Sequence, residues 1–280
     1  MSTPLTSEQR RWVHDVEQAL PHGRIGVAYS GGVDSSVLAT VIARLRGADA
    51  VLLLLAVSPS LARREHTLAV RQARHLGLEL VELATQEVTD PRYARNDLDR
   101  CYHCKNTLFV DIGNRLAEFG IQAVAYGENA DDLARPDRPG RRAAIEHAVC
   151  HPLADAGLTK AQIRELGRAL GVPSADKPAS PCLASRIPHG DPVTPEKLAQ
   201  IDHAEDAVLT AGFTDCRVRH HGETARIEVP EGELHRLADP QVRSSVLRSV
   251  REVGFTHVTV DLAGIRSGVF TLQLQSGGTP

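Results

Sequence analysis

Arg24-Ile25-Gly26-Val27-Ala28-Tyr29-Ser30-Gly31-Gly32-Val33-Asp34-Ser35-Ser36 is the stretch that decides the fold. Its first six residues, Arg24 to Tyr29, are a short strand pattern, apolar after the arginine. Immediately after it, Val37, Leu38, Val41, Ile42 and Leu45 recur at helical spacing. The Ser-Gly-Gly turn therefore joins the end of a strand to the start of a helix. A helix start leaves backbone N–H groups unpaired at the positive end of the helix dipole, and anions bind there. Two glycines allow positive φ and close approach to phosphate oxygens. Ser30, Ser35 and Ser36 add hydroxyl donors. Asp34 is out of place beside bare phosphate, so it is expected to face a bound Mg²⁺ or to cap the helix. The lysine of the GxxxxGK[ST] loop is absent, which excludes the loop of γ-phosphate-transferring enzymes. The expected ligand is a phosphate group, held by Ser30, Gly31, Gly32, Asp34, Ser35 and Ser36.

Outward from this loop, strand patterns at 51–57, 78–83 and 122–126 alternate with helical ones at about 61–76 and 104–119, the helices stopping at Gly77 and Gly120. That alternation predicts an α/β fold, a parallel sheet with helices on both faces. Pro173, Pro178, Pro181, Pro188, Pro192 and Pro195 then crowd one stretch, which rules out a regular element and reads as an ordered loop and domain boundary. Beyond it come a helix over 194–210 with Pro195 in its first turn, strands at 216–221 and 224–229 around His221-Gly222, a helix at about 240–253 and a strand at 256–262. The expected division is residues 1–185 and a small α+β domain over 186–280.

The composition agrees. Of 280 residues, 42% are hydrophobic and 24% charged, ordinary for a globular chain, while aromatics at 4% leave the core to aliphatic residues. A net charge of −3 weighs against a broad nucleic-acid footprint. Residues 1–19 hold no signal-peptide core, and the run 51–57 is too short to span a bilayer, so the expected location is cytoplasmic, with no membrane partner. Five cysteines, an odd number, argue for metal or catalytic work rather than a disulfide framework. Cys150 and Cys216 read as buried small hydrophobes. Cys101-Tyr102-His103-Cys104 brings two thiols within reach of one metal or of each other. A structural zinc wants four N/S ligands. A third cysteine from a distant loop, Cys182, instead suits a [4Fe–4S] cluster with one iron open, and a reducible dithiol stays an alternative for the pair alone.

The string from Ser30 to Ser36 resembles the loop of the PP-loop, or N-type, ATP pyrophosphatases, and Tyr126-Gly127-Glu128-Asn129-Ala130-Asp131-Asp132 is similar to their second, adenylate-facing loop, which implies a role for Gly127 in ATP binding. Members of that superfamily cleave ATP between the α and β phosphates, adenylate a carbonyl or carboxyl oxygen, and let a nucleophile displace AMP. Four further segments together resemble the LarE family: Ser58-Pro59-Ser60, Arg100 to Lys105, Lys177-Pro178-Ala179-Ser180-Pro181-Cys182-Leu183-Ala184-Ser185-Arg186-Ile187-Pro188, and Gly264 to Gly268. The resemblance implies conversion of the carboxylates of pyridinium-3,5-biscarboxylic acid mononucleotide to thiocarboxylates, on the way to a nickel-pincer nucleotide. It implies two sulfur chemistries. Either Cys182 attacks the adenylate and gives up its own sulfur, or Cys101, Cys104 and Cys182 hold a [4Fe–4S] cluster that carries the sulfide. The CxxC favours the cluster.

Strand alternation puts Arg217 and Arg219 on one face, where two guanidinium groups suit a phosphate. Arg266, in a Gly-flanked loop, and Arg186 join them as substrate-binding candidates. Glu205 and Glu228 match acidic positions of the family and are expected as divalent-metal ligands. The implied cofactors are ATP, Mg²⁺ and the cluster. The implied partners are a small nucleotide substrate, further copies of the chain in a homo-oligomer, a sulfide source and a downstream nickel-inserting protein. The rival readings are a tRNA thiolase, an ammonia-using adenylating synthetase and a nucleotide-binding redox sensor.

Overall fold

The computed structural model describes residues 4–134 and 139–265. Arg266, the residues of its Gly-flanked loop that follow it and the tail lie outside the described residues. The chain divides into two compact units, one of Met1–Tyr93 with Asp99–Ser180, the other of Ala94–Leu98 with Pro181–Pro280. The second cut falls at 180/181 instead of 185/186, and a five-residue segment from inside the first unit's sequence joins the second. Asn96 explains the latter. It is fully buried, adopts a left-handed φ of 61°, and its side-chain amide donates to the carbonyls of Ile187, Pro188 and Asp191.

In the first unit, β1 (Ile25–Tyr29), β2 (Val51–Val57), β3 (Leu80–Ala84) and β4 (Ala123–Tyr126) form a parallel sheet in the order β3-β2-β1-β4. Helices α1 (Ser7–Ala19), α2 (Val33–Arg46), α3 (Arg63–Leu76), α4 (Arg100–Asn114), α5 (Pro139–Glu146) and α6 (Lys160–Ala169) surround it. Strand side chains alternate between faces. Val51, Leu53 and Leu55 therefore pack with α1, α2, α3 and α6, while Leu52 and Leu54 pack with Ile112 of α4 and with Phe119 and Ile121. Both faces are covered, as the unbroken apolar run of β2 requires.

The strand and helix patterns in the sequence leave α1 and α6 unassigned, although each opens on a Thr-x-x-Gln capping box, Thr6 with Gln9 and Thr159 with Gln162. The helix expected over 104–119 is α4 followed by a one-turn helix at Leu116–Phe119. It starts four residues earlier than expected because nothing in Arg-Cys-Tyr-His interrupts a helix, and so Cys101 and Cys104 both fall near its start.

In the second unit, α7 (Pro195–Thr210) and α8 (Pro240–Glu252) pack on a sheet of β5 (Arg217–His221), β6 (Thr224–Glu228) and β7 (His257–Val260), in the order β5-β6-β7. β5 and β6 are the expected antiparallel hairpin, and β7 returns parallel to β6 after α8. Among the described residues no helix is long and apolar enough to cross a membrane.

Candidate active site

The order β3-β2-β1-β4 reverses direction at β1. The chain steps outward through β2 and β3, then returns to place β4 on the other side of β1. Open parallel sheets bind ligands beyond the carboxyl ends of their strands at such a switch point. Beyond β1 lies Ser30-Gly31-Gly32, and beyond β4 lies Gly127. The two loops touch. A Cβ on Gly127 would sit 2.5 Å from Ser35 N and 2.7 Å from the carbonyl carbon of Asp34, so only glycine fits there. Gly31 holds a φ of 70°, and a Cβ on it would meet Ala69 Cβ at 2.8 Å.

Gly32 is the N-cap of α2 and offers no side-chain cap bond. Elsewhere Thr6, Thr159, Thr194 and Asp239 cap their helices with side-chain oxygens. The start of α2 thus keeps N–H donors that a side-chain cap would have taken. Ser30 Oγ accepts from Gly32 N at 3.3 Å, and Ser35 Oγ from Ser30 N at 3.3 Å. Ser36 is fully buried, and its hydroxyl donates to Gly32 O at 2.7 Å, so it shapes the loop from within.

Asp34 pairs with Lys160, Nζ to Oδ2 at 2.5 Å, while its other oxygen, Oδ1, is buried without a hydrogen bond. Burial raises the carboxyl above its ordinary value, against the pull of Lys160, and the nearby Asp132 adds to the rise. Such a carboxylate gains from a cation. Lys160 is a site residue that the sequence motifs do not single out. Its signal is the Thr159 capping box, which sets Lys160 at the first position of α6, where its N–H also reaches Asp131 Oδ2 at 2.8 Å. The second loop, α6 and the start of α2 are thereby tied together. Past β2, Ser58 Oγ donates to Glu87 Oε1 at 2.5 Å, and Ser60 Oγ lies 2.6 Å from Tyr93 Oη.

Cys101 is exposed and Cys104 half-buried, three residues apart on α4 and so on one face of it. Between them His103 is buried, with Nε2 3.1 Å from Asp99 Oδ2. Among the described residues of either unit, no group of three or more His, Cys, Asp or Glu side chains is set to hold a metal ion.

In the second unit, Cys182 is an exposed cysteine outside any disulfide, at the cap of a single 3₁₀ turn, Leu183–Arg186. Arg186 is 2% exposed and forks onto Glu205, Nε to Oε1 at 2.8 Å and Nη2 to Oε2 at 3.1 Å. Its Nη1 donates to Pro181 O at 2.7 Å and to Cys182 O at 3.3 Å, gripping the backbone around the thiol. Burial alone would lower the guanidinium's pKa, and the Glu205 carboxylate outweighs it, so the net shift is upward. Arg219 forks in the same way onto Glu228, at 3.0 and 2.8 Å, and donates to Ser185 O at 3.0 Å. Arg217 holds Asp215. Two of the expected substrate arginines, Arg186 and Arg219, thus pair with the two glutamates expected as metal ligands, Glu205 and Glu228. Cys216 is buried, which pushes its thiol well up and keeps it protonated.

A parallel sheet with an open, glycine-capped helix start at its switch point defines the class, a PP-loop α/β protein. No family model matches the chain. It is 32% identical to the pyridinium-3,5-bisthiocarboxylic acid mononucleotide synthase of Lactiplantibacillus plantarum, over 88% of each chain. It is 37% identical to an uncharacterized protein of Synechocystis, over 92% of this chain and 94% of that one. A GMP synthase of Symbiobacterium thermophilum shares 29% identity over 73% of this chain and 44% of its own length. The chain belongs to the LarE family, that of the Lactiplantibacillus synthase, a family of ATP-dependent sulfur-transferring enzymes.

Proposed function

We propose that the chain adenylates the carboxylates of pyridinium-3,5-biscarboxylic acid mononucleotide with ATP and converts them to thiocarboxylates for a nickel-pincer nucleotide. The observation that carries this reading is the uncapped start of α2, closed over by Gly127, in a chain of this family. The loop N–H groups and Ser30 bind the diphosphate end of ATP. Asp34 Oδ1, buried and without a bond of its own, fits a Mg²⁺ ion on those phosphates, with Lys160 holding the other oxygen. Departure of pyrophosphate leaves an acyl-adenylate, and AMP leaves when sulfur attacks the carbonyl carbon.

The cysteines fit a [4Fe–4S] cluster by donor chemistry. Three cysteines outside any disulfide, two of them on one helix face and two of them exposed, offer a three-thiolate set. Cys101, Cys104 and Cys182 would hold it, and when bound it would supply sulfide from its open iron. A second route is favoured by the exposure of Cys182 and by Arg186's grip on the backbone beside it. There the Cys182 thiolate forms the thioester as AMP leaves. Loss of the α-proton then breaks Cβ–S, leaving dehydroalanine in the chain and the thiocarboxylate on the substrate.

The test is turnover of anaerobically purified protein with ATP, Mg²⁺ and the biscarboxylate mononucleotide. The expected result is one AMP and one pyrophosphate per oxygen replaced by sulfur. Intact Cys182 after turnover identifies the cluster route, and a cysteine that has lost its sulfur identifies the other. ATP consumption driven by ammonia or by transfer RNA, with no sulfur in the mononucleotide, refutes the reading.

A further inference from the structure

Gln72 on α3 is buried, and its side-chain amide reaches the phosphate loop from behind. Nε2 lies 2.9 Å from Tyr29 Oη and 3.4 Å from Gly31 O, and also bonds Ser36 Oγ. An amide nitrogen only donates. Both hydroxyls must therefore accept from Gln72 and send their own hydrogens elsewhere. Tyr29 donates to Ala69 O at 3.3 Å, and Ser36 to Gly32 O at 2.7 Å. Gly32 O also receives Ser36 N at 3.1 Å and Ser35 Oγ at 3.2 Å. The Gly32 carbonyl is thus fully engaged by protein donors, while the Gly31 carbonyl has only the long third contact of an amide nitrogen whose two hydrogens go to the hydroxyls. A carbonyl turned toward a phosphate would repel it, whereas a concavity of N–H groups attracts it.

On one side the loop is not packed: a cavity of about 370 Å³ lies against Gly31 and Gln72, walled further by Leu68 and Pro173. There the hydrogen bonds of Gln72 hold it.

We propose that Gln72 is a positioning residue. It fixes the direction of the Tyr29 and Ser36 hydroxyls and so keeps the Gly32 carbonyl, to which Ser36 donates, turned from the diphosphate, without touching the nucleotide. This deepens the ATP-dependent reading and rests on it.

The test separates pyrophosphate, which needs the loop, from AMP, which lacks the β and γ phosphates. Calorimetric affinities for both are measured on the native chain, Gln72→Leu and Tyr29→Phe. Gln72→Leu is expected to lose about tenfold in pyrophosphate affinity, the scale of one hydrogen-bond network, with AMP changed by less than about twofold. Tyr29→Phe, which removes one acceptor and keeps the ring, is expected to lose about threefold for pyrophosphate alone. If Gln72→Leu does not fold, Tyr29→Phe decides. Equal losses for both ligands, or unchanged pyrophosphate affinity, overturn the proposal. A native chain that binds neither ligand removes the ATP reading first, and this inference with it.

Discussion

The phosphate loop of the first unit and the arginine–glutamate pairs of the second are built on opposite plans. At the start of α2 a glycine stands where four other helices carry a capping side chain, and donors are left over. In the second unit Arg186 with Glu205 and Arg219 with Glu228 satisfy each other, with side chains about 10% exposed or less. A site made of backbone N–H groups is open because nothing local competes for it. A site made of paired charges opens only if a ligand outbids the partner. The difference teaches where binding is built in and where it must be won by exchange, and four predictions test it.

The largest expected effect is on the pairs. Arg186→Met leaves the Glu205 carboxylate buried and unpaired, and is expected to destabilise the second unit by about 3–5 kcal/mol in chemical denaturation. Replacing both residues, Arg186→Met with Glu205→Met, is expected to recover most of that loss, since desolvation offsets much of what a buried pair gains. A single variant that costs nothing would break the comparison, because the pair would then be free for substrate.

Next is Gly127→Ala. The added methyl has to displace the first turn of α2, which it meets at 2.5 Å. Pyrophosphate release from ATP is expected to fall about a hundredfold, the scale of an ångström-sized misplacement of a reacting group. Denaturation of the second unit is expected to be unchanged. Full activity in this variant would mean that the two loops do not close on ATP.

The same contrast explains how much can be read from the sequence. The loop from Ser30 to Ser36 is legible because strand, turn and helix are contiguous and the chemistry is in the backbone. The hairpin over 217–228 is legible from strand alternation and Gly222. The partners are not. Nothing local says that Arg186 reaches Glu205, nineteen residues on, or that Lys160 crosses to Asp34, 126 residues away. Helices α1 and α6 carry capping boxes visible in the sequence, but their apolar stripes are short and diluted by arginine and glutamine. The step of Ala94–Leu98 into the second unit has no composition signal at all. It is held by the Asn96 amide and by backbone bonds from Val193 to Ala94 and from Gly190 to Asn96.

That asparagine gives the third prediction. Asn96→Ala removes an amide bonded to three carbonyls and leaves alanine at φ 61°. The expected cost to the second unit is about 2–3 kcal/mol. Asn96→Gly loses the same bonds but accepts the backbone, so it is expected to cost less by about 1 kcal/mol. Equal costs would assign the whole effect to the amide.

The smallest effect concerns a titrating group in the same unit. His220 is buried edge-on to Phe255, with Nε2 3.1 Å from Gln200 Oε1. Burial first, then Lys197, lowers its pKa from 6.5, against a small opposing pull from Asp191, and His221 beside it is lowered by its own partial burial and by Arg226. In the unfolded chain both imidazoles take up a proton near pH 6.5, while in the folded unit they resist it until lower pH. The unfolded state therefore binds more protons in that window, and stability falls as pH drops through it. The contribution of the more exposed His221 is smaller than that of His220, because solvent screens it. His220→Gln should flatten the stability profile between pH 7 and the acid limb without removing its slope, because His221 still titrates. A slope of opposite sign would mean that His220 gains a carboxylate partner on folding. The hairpin would then hold the same kind of paired charge as Arg219 and Glu228 beside it.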